Sequence, residues 1–329
     1  MEKTYVIGAG SWGTAFSYHL ARKGLKVKLW VREEELFNEI LKKKENLRFL
    51  PGFKLPDKIE PFNELSTLRG YSNEIVFLAV PTKFLRNVLR HFPIRPKKVV
   101  NLAKGIEVKT LSRMSDVVRE ELGMVDYAVL SGPSFAIEVA GGNPTVVVVA
   151  SENAGFAKEV QNIVSDRFLR AYTTDDVLGV ELCGAIKNVI AIAAGAVDGL
   201  GFGYNTLAAL IVRGIAEMKR LVVAMGGKPE TVAGIAGMGD LILTATGKLS
   251  RNRKVGFELG RGKSLEEILS SMKMVAEGVE TSMAIMKLAE KFSVEMPISH
   301  KVFEVLFDGK PPIKAIEELM TRKLKDENE

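Results

Sequence analysis

An apolar stretch over residues 181–191 has the pattern of a buried helix, yet it carries Lys187 and Asn188 in its middle. A buried ammonium group is costly unless it is paired or used in chemistry. Burial also lowers a lysine pKa toward neutrality, which suits a general base acting on a hydroxyl group. The alternative is a lysine whose stem packs in the core while its charged end reaches water. Lys187 is therefore a candidate catalytic residue.

Cys183, the single cysteine of the chain, lies one helical turn before Lys187. Without a convincing histidine partner, it is interpreted as a small core residue and not as a nucleophile. One cysteine and three scattered histidines exclude an internal disulfide and disfavour a metal centre, so no metal is expected.

A second polar cluster follows at residues 237–254. Arg251 and Asn252, next to Ser250, supply a planar bidentate donor and an amide, which suit a phosphate group. The same residues could instead form a basic helix start. Asp240 lies among glycines, where it could orient a lysine ammonium or cap a helix.

Gly8, Gly10 and Gly13 follow the first strand-like run and open a helix. At this spacing the first glycine permits a tight turn, the second lets the backbone approach a pyrophosphate, and the third lets helix pack on strand. The pattern predicts a dinucleotide site. A Rossmann fold that has lost its ligand is the alternative.

The next strand ends in Arg32, which is followed by Glu33, Glu34 and Glu35. An arginine here favours the 2′-phosphate of NADP, whereas an acidic residue would hold the ribose 2′-hydroxyl of NAD. Both residue types are present, and a solvated helix start explains them equally well. We expect NADP to be favoured, with NAD as the other option.

Three further turns end strand-like runs, at residues 80–82, 101–105 and 131–136. Ligands of open α/β sheets bind at the carboxyl ends of strands, so these turns should converge on cofactor and substrate. Lys104 is the only charged side chain among them and is expected to contact a ligand.

The elements that must position these residues change character along the chain. Strand-like runs are predicted at 3–7, 26–31, 74–80, 97–102, 127–130, 144–150 and 168–171, alternating with helices at 12–23, 33–44, 82–91, 110–122 and 153–163. Such alternation is typical of a doubly wound α/β sheet. From residue 176 the pattern is helical, with helices predicted at 178–199, 206–226, 229–236, 264–270, 278–291 and 299–306. The tail after Lys310 is polar and is expected to fray at its end. We predict a Rossmann-type domain over 1–177 and a mainly helical domain over 178–329, with the site in the cleft between them.

Composition supports a globular protein: 47% of the 329 residues are apolar and 26% are charged. The net charge is +6, and the lysines and arginines are interspersed with aspartates and glutamates. This pattern is typical of a solvated surface, so no nucleic-acid partner is expected. Unbroken apolar runs fall short of the roughly 18 residues of a membrane span, and the N-terminus lacks a signal-peptide pattern, so a cytoplasmic location is expected. A homodimer is compatible with the sequence, which does not fix the oligomeric state.

Taken in order, the motifs resemble the bacterial type of NAD(P)-dependent glycerol-3-phosphate dehydrogenase. The similar segments are GAGSWGTA from Gly8, AKGIE from Ala103, SGPSFA from Ser131, GAIKN from Gly184, GMGDLILT from Gly237, SRNRKVG from Ser250 and VAEGVET from Val275. The resemblance implies that Lys187 is the catalytic proton donor and acceptor. It implies that the substrate is surrounded by Lys104, Gly132, Ser134, Asp240, Ser250, Arg251 and Asn252. It implies cofactor contacts from Ser11, Trp12, Arg32, Lys104, Ala136, Arg251, Val275 and Glu277.

The expected reaction is the reversible reduction of dihydroxyacetone phosphate to sn-glycerol 3-phosphate, which in the family feeds glycerophospholipid synthesis. Asn188 and Asp240 are expected to fix the lysine and the substrate hydroxyls, and Arg251 with Asn252 to hold the phosphate. Two alternatives stay open. One is a related two-domain dehydrogenase acting on a hydroxy acid or sugar phosphate, and the other is a binding protein that senses NADPH without turnover.

Overall fold

The structure of the protein is a computed structural model that describes residues 3–68, 74–272 and 274–327. Its strands are Lys3–Ile7 (β1), Lys26–Trp30 (β2), Glu45–Asn46 (β3), Leu50–Lys54 (β4), Ile59–Phe62 (β5), Ile75–Leu78 (β6), Lys98–Asn101 (β7), Asp126–Ser131 (β8), Thr145–Ala150 (β9) and Leu169–Thr174 (β10). Eight of them form one sheet in the order β10-β9-β8-β7-β6-β1-β2-β5, while β3 and β4 form a separate hairpin. The central strands bury apolar side chains on both faces, as in β6, because helices cover both sides of the sheet.

The sheet is parallel except where β8 and β9 pair antiparallel. The chain runs outward from β1 through β2 to β5 and then returns to place β6 on the other side of β1. This reversal of strand order creates a crevice beyond the carboxyl ends of β1 and β6, where doubly wound folds bind ligands. The predicted α/β fold with a Rossmann-type sheet is confirmed.

Fifteen α-helices are described. They are Ser11–Arg22 (α1), Glu34–Lys43 (α2), Thr82–Arg90 (α3), Met114–Leu122 (α4), Ala136–Ala140 (α5), Ala154–Val164 (α6), Val177–Gly199 (α7), Tyr204–Ala224 (α8), Pro229–Ala233 (α9), Asp240–Thr246 (α10), Arg251–Gly260 (α11), Leu265–Ser271 (α12), Glu277–Lys291 (α13), Pro297–Phe307 (α14) and Pro312–Met320 (α15). A 3₁₀ turn covers Leu65–Leu68 and a π-type turn covers Ile235–Gly239. Among the described residues no strand follows β10, so the predicted change to a helical second half is confirmed.

Several predicted elements need correction. The helix predicted over 110–122 begins at Met114, because Leu111 has a positive φ of 62° and Ile106 bridges back to Arg113 in a tight reversal. An unpredicted helix, α15, follows Lys310, and residues 321–327 beyond it belong to no helix or strand. The strands β3, β4 and β5 were not predicted, since they are short and contain prolines or charged residues that strand patterns disfavour. The helices α5 and α10 were also missed, and α11 was considered only as the alternative of a basic helix start, which is what the structure shows at Arg251.

Helix α7 is the central element of the helical half. Its composition would let it cross a membrane, but most of it is buried, as in the core helix of a soluble protein. Helix α11 packs against it unusually closely. A Cβ atom on Gly256 would lie 1.8 Å from the Ile192 carbonyl oxygen, and one on Gly195 would lie 1.9 Å from the Arg253 carbonyl oxygen. Glycines on both helices therefore bring the first turns of α11 close to the second half of α7.

Candidate active site

Lys187 lies on α7 with its side chain only 7% exposed. Its Nζ donates to Asp240 Oδ1 and to Thr244 Oγ1, both at 2.8 Å. Its charged end is therefore paired inside the protein, and the alternative in which it reaches bulk water does not hold. Burial lowers the pKa of Lys187 to about 8, with the nearby positive charge of Lys104 acting in the same direction and the charge of Asp240 opposing it.

Asp240 is the first residue of α10, and its carboxylate bridges two ammonium groups. One oxygen accepts from Lys187, and the other lies 2.5 Å from Lys104 Nζ. Of the two alternatives for Asp240, orienting a lysine is the one found, since its side chain caps no helix. Although burial raises the pKa of Asp240, the two lysine charges more than offset this and hold it below its usual range.

The turns after β7 and β8 meet beside this carboxylate, where Lys104 joins them. Lys104, just beyond β7, also donates to the carbonyl oxygen of Gly132 at 3.0 Å. Ser134 Oγ donates to the same carbonyl at 2.9 Å. Gly132 has a φ of +144°, so a side chain there would be strained, and its carbonyl collects two donors of the predicted site.

The second polar cluster lies at the N-terminus of α11. Ser250 caps this helix by accepting from the Arg253 backbone N–H at 3.2 Å. Asn252 Oδ1 accepts from the Gly278 N–H at 3.0 Å, which ties α11 to the start of α13. Arg251 is exposed. Asn188 Nδ2 donates to the Gly184 carbonyl at 3.3 Å, so in this structure it does not hold the lysine as expected.

The glycine turn lies at the crevice between β1 and β6. Gly8 has a φ of +114°, and a Cβ atom there would meet the Ala79 carbonyl oxygen at 2.8 Å. A Cβ on Gly13 would lie 1.9 Å from the Gly8 carbonyl oxygen, so α1 packs directly on the turn. By contrast, nothing lies within 4 Å of the corresponding position on Gly10. The turn is tight where the fold needs it and open where a ligand would approach.

The remaining predicted cofactor residues lie at the starts of α1, α5 and α13 and in the segment before α13. Ser11 and Trp12 begin α1, and Ser11 Oγ contacts Met274 Sδ at 3.2 Å, which brings the segment before Val275 over the turn. Glu277 Oε1 accepts from the Thr82 N–H at 3.3 Å, and burial raises its pKa against the opposing charge of Arg251. Ala136 begins α5 and is half-buried.

Arg32 lies beyond the end of β2, where it is 57% exposed and pairs with Glu33 at 2.6 Å. Its guanidinium carbon lies 5.4 Å from the centre of the Phe84 ring at the start of α3. Lys83 Nζ lies 5.1 Å from the same ring centre and pairs with Glu280 at 3.3 Å. Two cations therefore share one aromatic side chain.

Sequence reasoning missed two residues, one that contacts Lys187 and one that anchors its helix. Thr244 follows Asp240 by one helical turn, and that spacing could have shown that both face Lys187. Glu181, buried on α7, accepts from Ser115 N–H at 2.8 Å and from Tyr127 OH at 2.6 Å, which anchors α7 to the sheet half. Burial raises the pKa of Glu181. Cys183 is fully buried, and burial raises the pKa of its thiol, so it remains a packing residue.

Family models for the N-terminus and the C-terminus of NAD-dependent glycerol-3-phosphate dehydrogenase match residues 3–157 and 176–317. Together they cover most of the chain. The chain belongs to the NAD-dependent glycerol-3-phosphate dehydrogenase family.

Individual members of this glycerol-3-phosphate dehydrogenase family are similar over their full length. "Glycerol-3-phosphate dehydrogenase [NAD(P)+]" of Geobacter sp. (strain M21) is 51% identical over 333 residues, covering 99% of both chains. The protein of the same name from Solidesulfovibrio magneticus is 50% identical over 330 residues, covering 99% of this chain and 100% of the relative. The crystal structure of glycerol-3-phosphate dehydrogenase from Coxiella burnetii superposes with a TM-score of 0.93 at 39% identity, covering 98% of this chain and 99% of that one.

Proposed function

We propose that this protein reversibly reduces dihydroxyacetone phosphate to sn-glycerol 3-phosphate with a nicotinamide cofactor, in support of glycerophospholipid synthesis. The observation that carries the proposal is the buried Lys187, paired through Asp240 with Lys104 inside a member of the glycerol-3-phosphate dehydrogenase family. A protein that only senses NADPH has no need for a buried catalytic lysine.

The glycine turn fits a dinucleotide. The first N–H groups of α1 have no acceptor within the helix and no side-chain cap, which is the arrangement that binds pyrophosphate. Gly10 leaves open space where a side chain would block that approach. Gly8, Gly10, Ser11, Trp12 and Gly13 would hold the cofactor, which supplies the hydride when bound.

The proton chemistry belongs to Lys187. An ammonium group has three N–H donors, and Asp240 and Thr244 accept two of them. The third is left for the substrate oxygen on C2. In the reducing direction Lys187 would polarise the carbonyl and give its proton to the developing alkoxide. In the oxidising direction the neutral amine would take the hydroxyl proton, and a pKa of about 8 makes both forms accessible near neutrality.

Lys104 and the N-terminus of α11 would position the substrate. Lys104 adds positive charge beside Lys187 while its other contacts hold it against Gly132 and Asp240. Arg251 is exposed at the first position of α11, where helix N–H groups and a guanidinium fork together favour a phosphate. The close packing of α11 on α7 sets the separation between phosphate and reacting carbon. Ser134, Asn188, Ser250 and Asn252 are proposed to complete the substrate site.

We propose that NADP is favoured over NAD. Arg32 and Lys83 both lie against Phe84 near the end of β2, where the ribose 2′-position is recognised in this fold. A 2′-phosphate dianion would feel both charges within a Debye length. Glu33 and Glu280, which now pair with these cations, would be displaced as partners.

The other proposals concern organisation. We propose the domain boundary at 177/178, supported by the start of α7 at Val177, three residues after the end of β10, and by a helical core around residues such as Leu182 and Ile285. The exposed apolar residues Tyr204 and Val212 on α8 are compatible with a homodimer. A cytoplasmic location agrees with the expected substrate.

The test is a turnover assay with dihydroxyacetone phosphate and each of NADH and NADPH, with Lys187→Ala as the inactive control. We expect turnover with both cofactors, a lower KM for NADPH, and no measurable turnover by the variant. Reduction of a 2-oxo acid in preference to dihydroxyacetone phosphate would instead favour the related dehydrogenase. Cofactor binding without turnover of either substrate class would favour a sensor.

The cofactor preference has its own variant. Arg32→Ala should raise the KM for NADPH while leaving that for NADH nearly unchanged, because only NADPH carries the 2′-phosphate. Equal effects on the two cofactors would refute the proposed preference and leave Arg32 as a surface charge.

A further inference from the structure

The hairpin formed by β3 and β4 lies outside the main sheet and carries no residue proposed above for cofactor or substrate. Its residue Asn46 is nevertheless completely buried. Asn46 Nδ2 donates to the Ala9 carbonyl oxygen at 2.8 Å and to Thr14 Oγ1 at 2.9 Å. Ala9 is the residue between the first two glycines of the cofactor turn. A distant hairpin thus reaches the backbone of that turn.

Both polar atoms of the Asn46 side-chain amide form hydrogen bonds. Its Oδ1 accepts from the Phe49 N–H at 3.0 Å, which fixes the orientation of the side chain within the hairpin. Thr14 Oγ1, which accepts from Asn46, itself donates to the Ala9 carbonyl at 3.2 Å. The Ala9 carbonyl therefore receives two donors, and each donor is held by a further contact.

This anchoring has a consequence for the next N–H group. In a planar trans peptide, the carbonyl of one residue and the N–H of the following residue point in opposite directions. Holding the Ala9 carbonyl toward Asn46 therefore directs the Gly10 N–H away from the hairpin. Glycine permits many backbone conformations, so the residue that lets a ligand approach also makes rotation of this peptide inexpensive. A fixed donor is needed to prevent that rotation.

We propose that Asn46 is a positioning residue for the cofactor, which holds the Ala9–Gly10 peptide in the orientation that binds pyrophosphate. The inference rests on the proposed dinucleotide site and adds a hairpin residue to its support. Asn46 touches no ligand itself and acts through the backbone of the turn. Its effect should therefore be the same for NADH and NADPH, which share the pyrophosphate, and absent for a ligand that lacks it.

The experiment measures dissociation constants of NADPH, NADH and 2′-AMP for wild type, Asn46→Ala and Asn46→Asp, with the melting temperature of each protein. The probe 2′-AMP keeps the 2′-phosphate and adenine but has no pyrophosphate. Asn46→Asp keeps the shape and the acceptor toward Phe49 but places an oxygen against the Ala9 carbonyl. Glu45→Gln is the matched control, since Glu45 accepts from the Gly52 N–H at 2.8 Å within the same hairpin and is not bonded to the turn.

Losing two hydrogen bonds that fix the turn should weaken both dinucleotides about tenfold in each Asn46 variant, while 2′-AMP binding stays within about twofold. Glu45→Gln should leave all three ligands unchanged. If only Asn46→Asp weakened dinucleotide binding, the effect would be one of charge and the inference would be overturned. Unchanged dinucleotide binding in Asn46→Ala would overturn it too. So would a loss of 2′-AMP binding as large as the loss of dinucleotide binding. If the wild type bound no dinucleotide at all, the proposed function itself would fail, which is a separate outcome.

Discussion

Replacing Asp240 by asparagine changes the charge at the centre of the site while keeping the side chain's shape. Asp240 accepts from Lys187 and Lys104 through separate oxygens, and its side chain is 2% exposed. It is the main group that opposes the effect of burial on Lys187. Removing its charge leaves burial and the positive charge of Lys104 acting together. The pKa of Lys187 should therefore fall below its present value of about 8.

The size of the effect follows from the contact distance. The Lys187 Nζ and Asp240 Oδ1 atoms are 2.8 Å apart. An opposite charge at such range typically shifts a pKa by about one to three units. At pH 7.5 the fraction of Lys187 present as ammonium would fall about threefold for a shift of one unit and about 25-fold for two units. Reduction of the carbonyl, which needs the ammonium, should slow by at least these factors.

The assay is kcat for dihydroxyacetone phosphate reduction from pH 5.5 to 9 at saturating cofactor and substrate. For Asp240→Asn the midpoint at which reduction is lost should move to lower pH. Lys104→Met should move the midpoint the other way, because the charge of Lys104 lowers the pKa of Lys187. Thr244→Val is the uncharged control: it removes the other acceptor of Lys187 and should lower kcat with little change in the midpoint.

One result would refute this reasoning. If Asp240→Asn lost activity but kept the wild-type midpoint, Asp240 would position Lys187 without setting its proton equilibrium. Shifts of the same sign in Asp240→Asn and Lys104→Met would likewise show that the midpoint belongs to another group.

Three further perturbations test the phosphate site, the helix packing and the acid stability. Arg251→Lys should raise the KM for dihydroxyacetone phosphate less than Arg251→Ala does. Neither variant should change the weak turnover of dihydroxyacetone, which has no phosphate. Equal loss with both substrates would show that Arg251 does not bind the substrate phosphate. Gly256→Ala would put a methyl group 1.8 Å from the Ile192 carbonyl oxygen. The free energy of unfolding, measured in urea, should therefore fall by about 1–3 kcal/mol or more. An unchanged free energy of unfolding would contradict the close packing of the two helices. Burial lowers the pKa of His19, whose Nε2 lies 2.7 Å from the Val164 carbonyl oxygen. The unfolded chain therefore binds a proton at His19 more readily than the folded protein does. The stability that His19 contributes is present above pH 6.5 and should be lost as the pH falls through the folded-state pKa. His19→Gln should flatten the melting temperature between pH 7 and 5, and an unchanged slope would exclude His19 as the cause.

Local signals were enough to predict the sheet half and to single out the buried lysine of the candidate site. Gly8, Gly10 and Gly13 have spacing dictated by a tight turn, so the residue types alone locate the glycine turn in the chain. Lys187 could be identified because a charged residue in an apolar helix is costly without a partner. The partner, Asp240, could be named only as one of two alternatives, since the contact joins residues 53 positions apart.

Other features depend on contacts that no local pattern reports. Asn46 looks like an ordinary loop residue, and its importance comes from a carbonyl 37 positions away. The strands β3 to β5 are short and poor in β-branched residues, so tertiary packing decides their conformation. Helix α10 was missed because the preceding glycines favour irregular backbone, and α11 was only an alternative because its polar residues were interpreted as a ligand cluster.

The glycines of α7 and α11 show how an unfavourable local choice can serve the site. Within a helix, glycine costs about 0.5–1 kcal/mol relative to alanine, so sequence patterns count Gly195 and Gly256 against helix formation. Both positions lie where the two helix backbones approach too closely for any side chain. The short distance between the axes places the first turns of α11, which begins at Arg251, against residues 192–195 of α7, beyond the turn that carries Lys187. Because larger residues would move the two helices apart, the spacing between the phosphate group and the reacting carbon would be set by these glycines and not by the polar residues that contact the substrate.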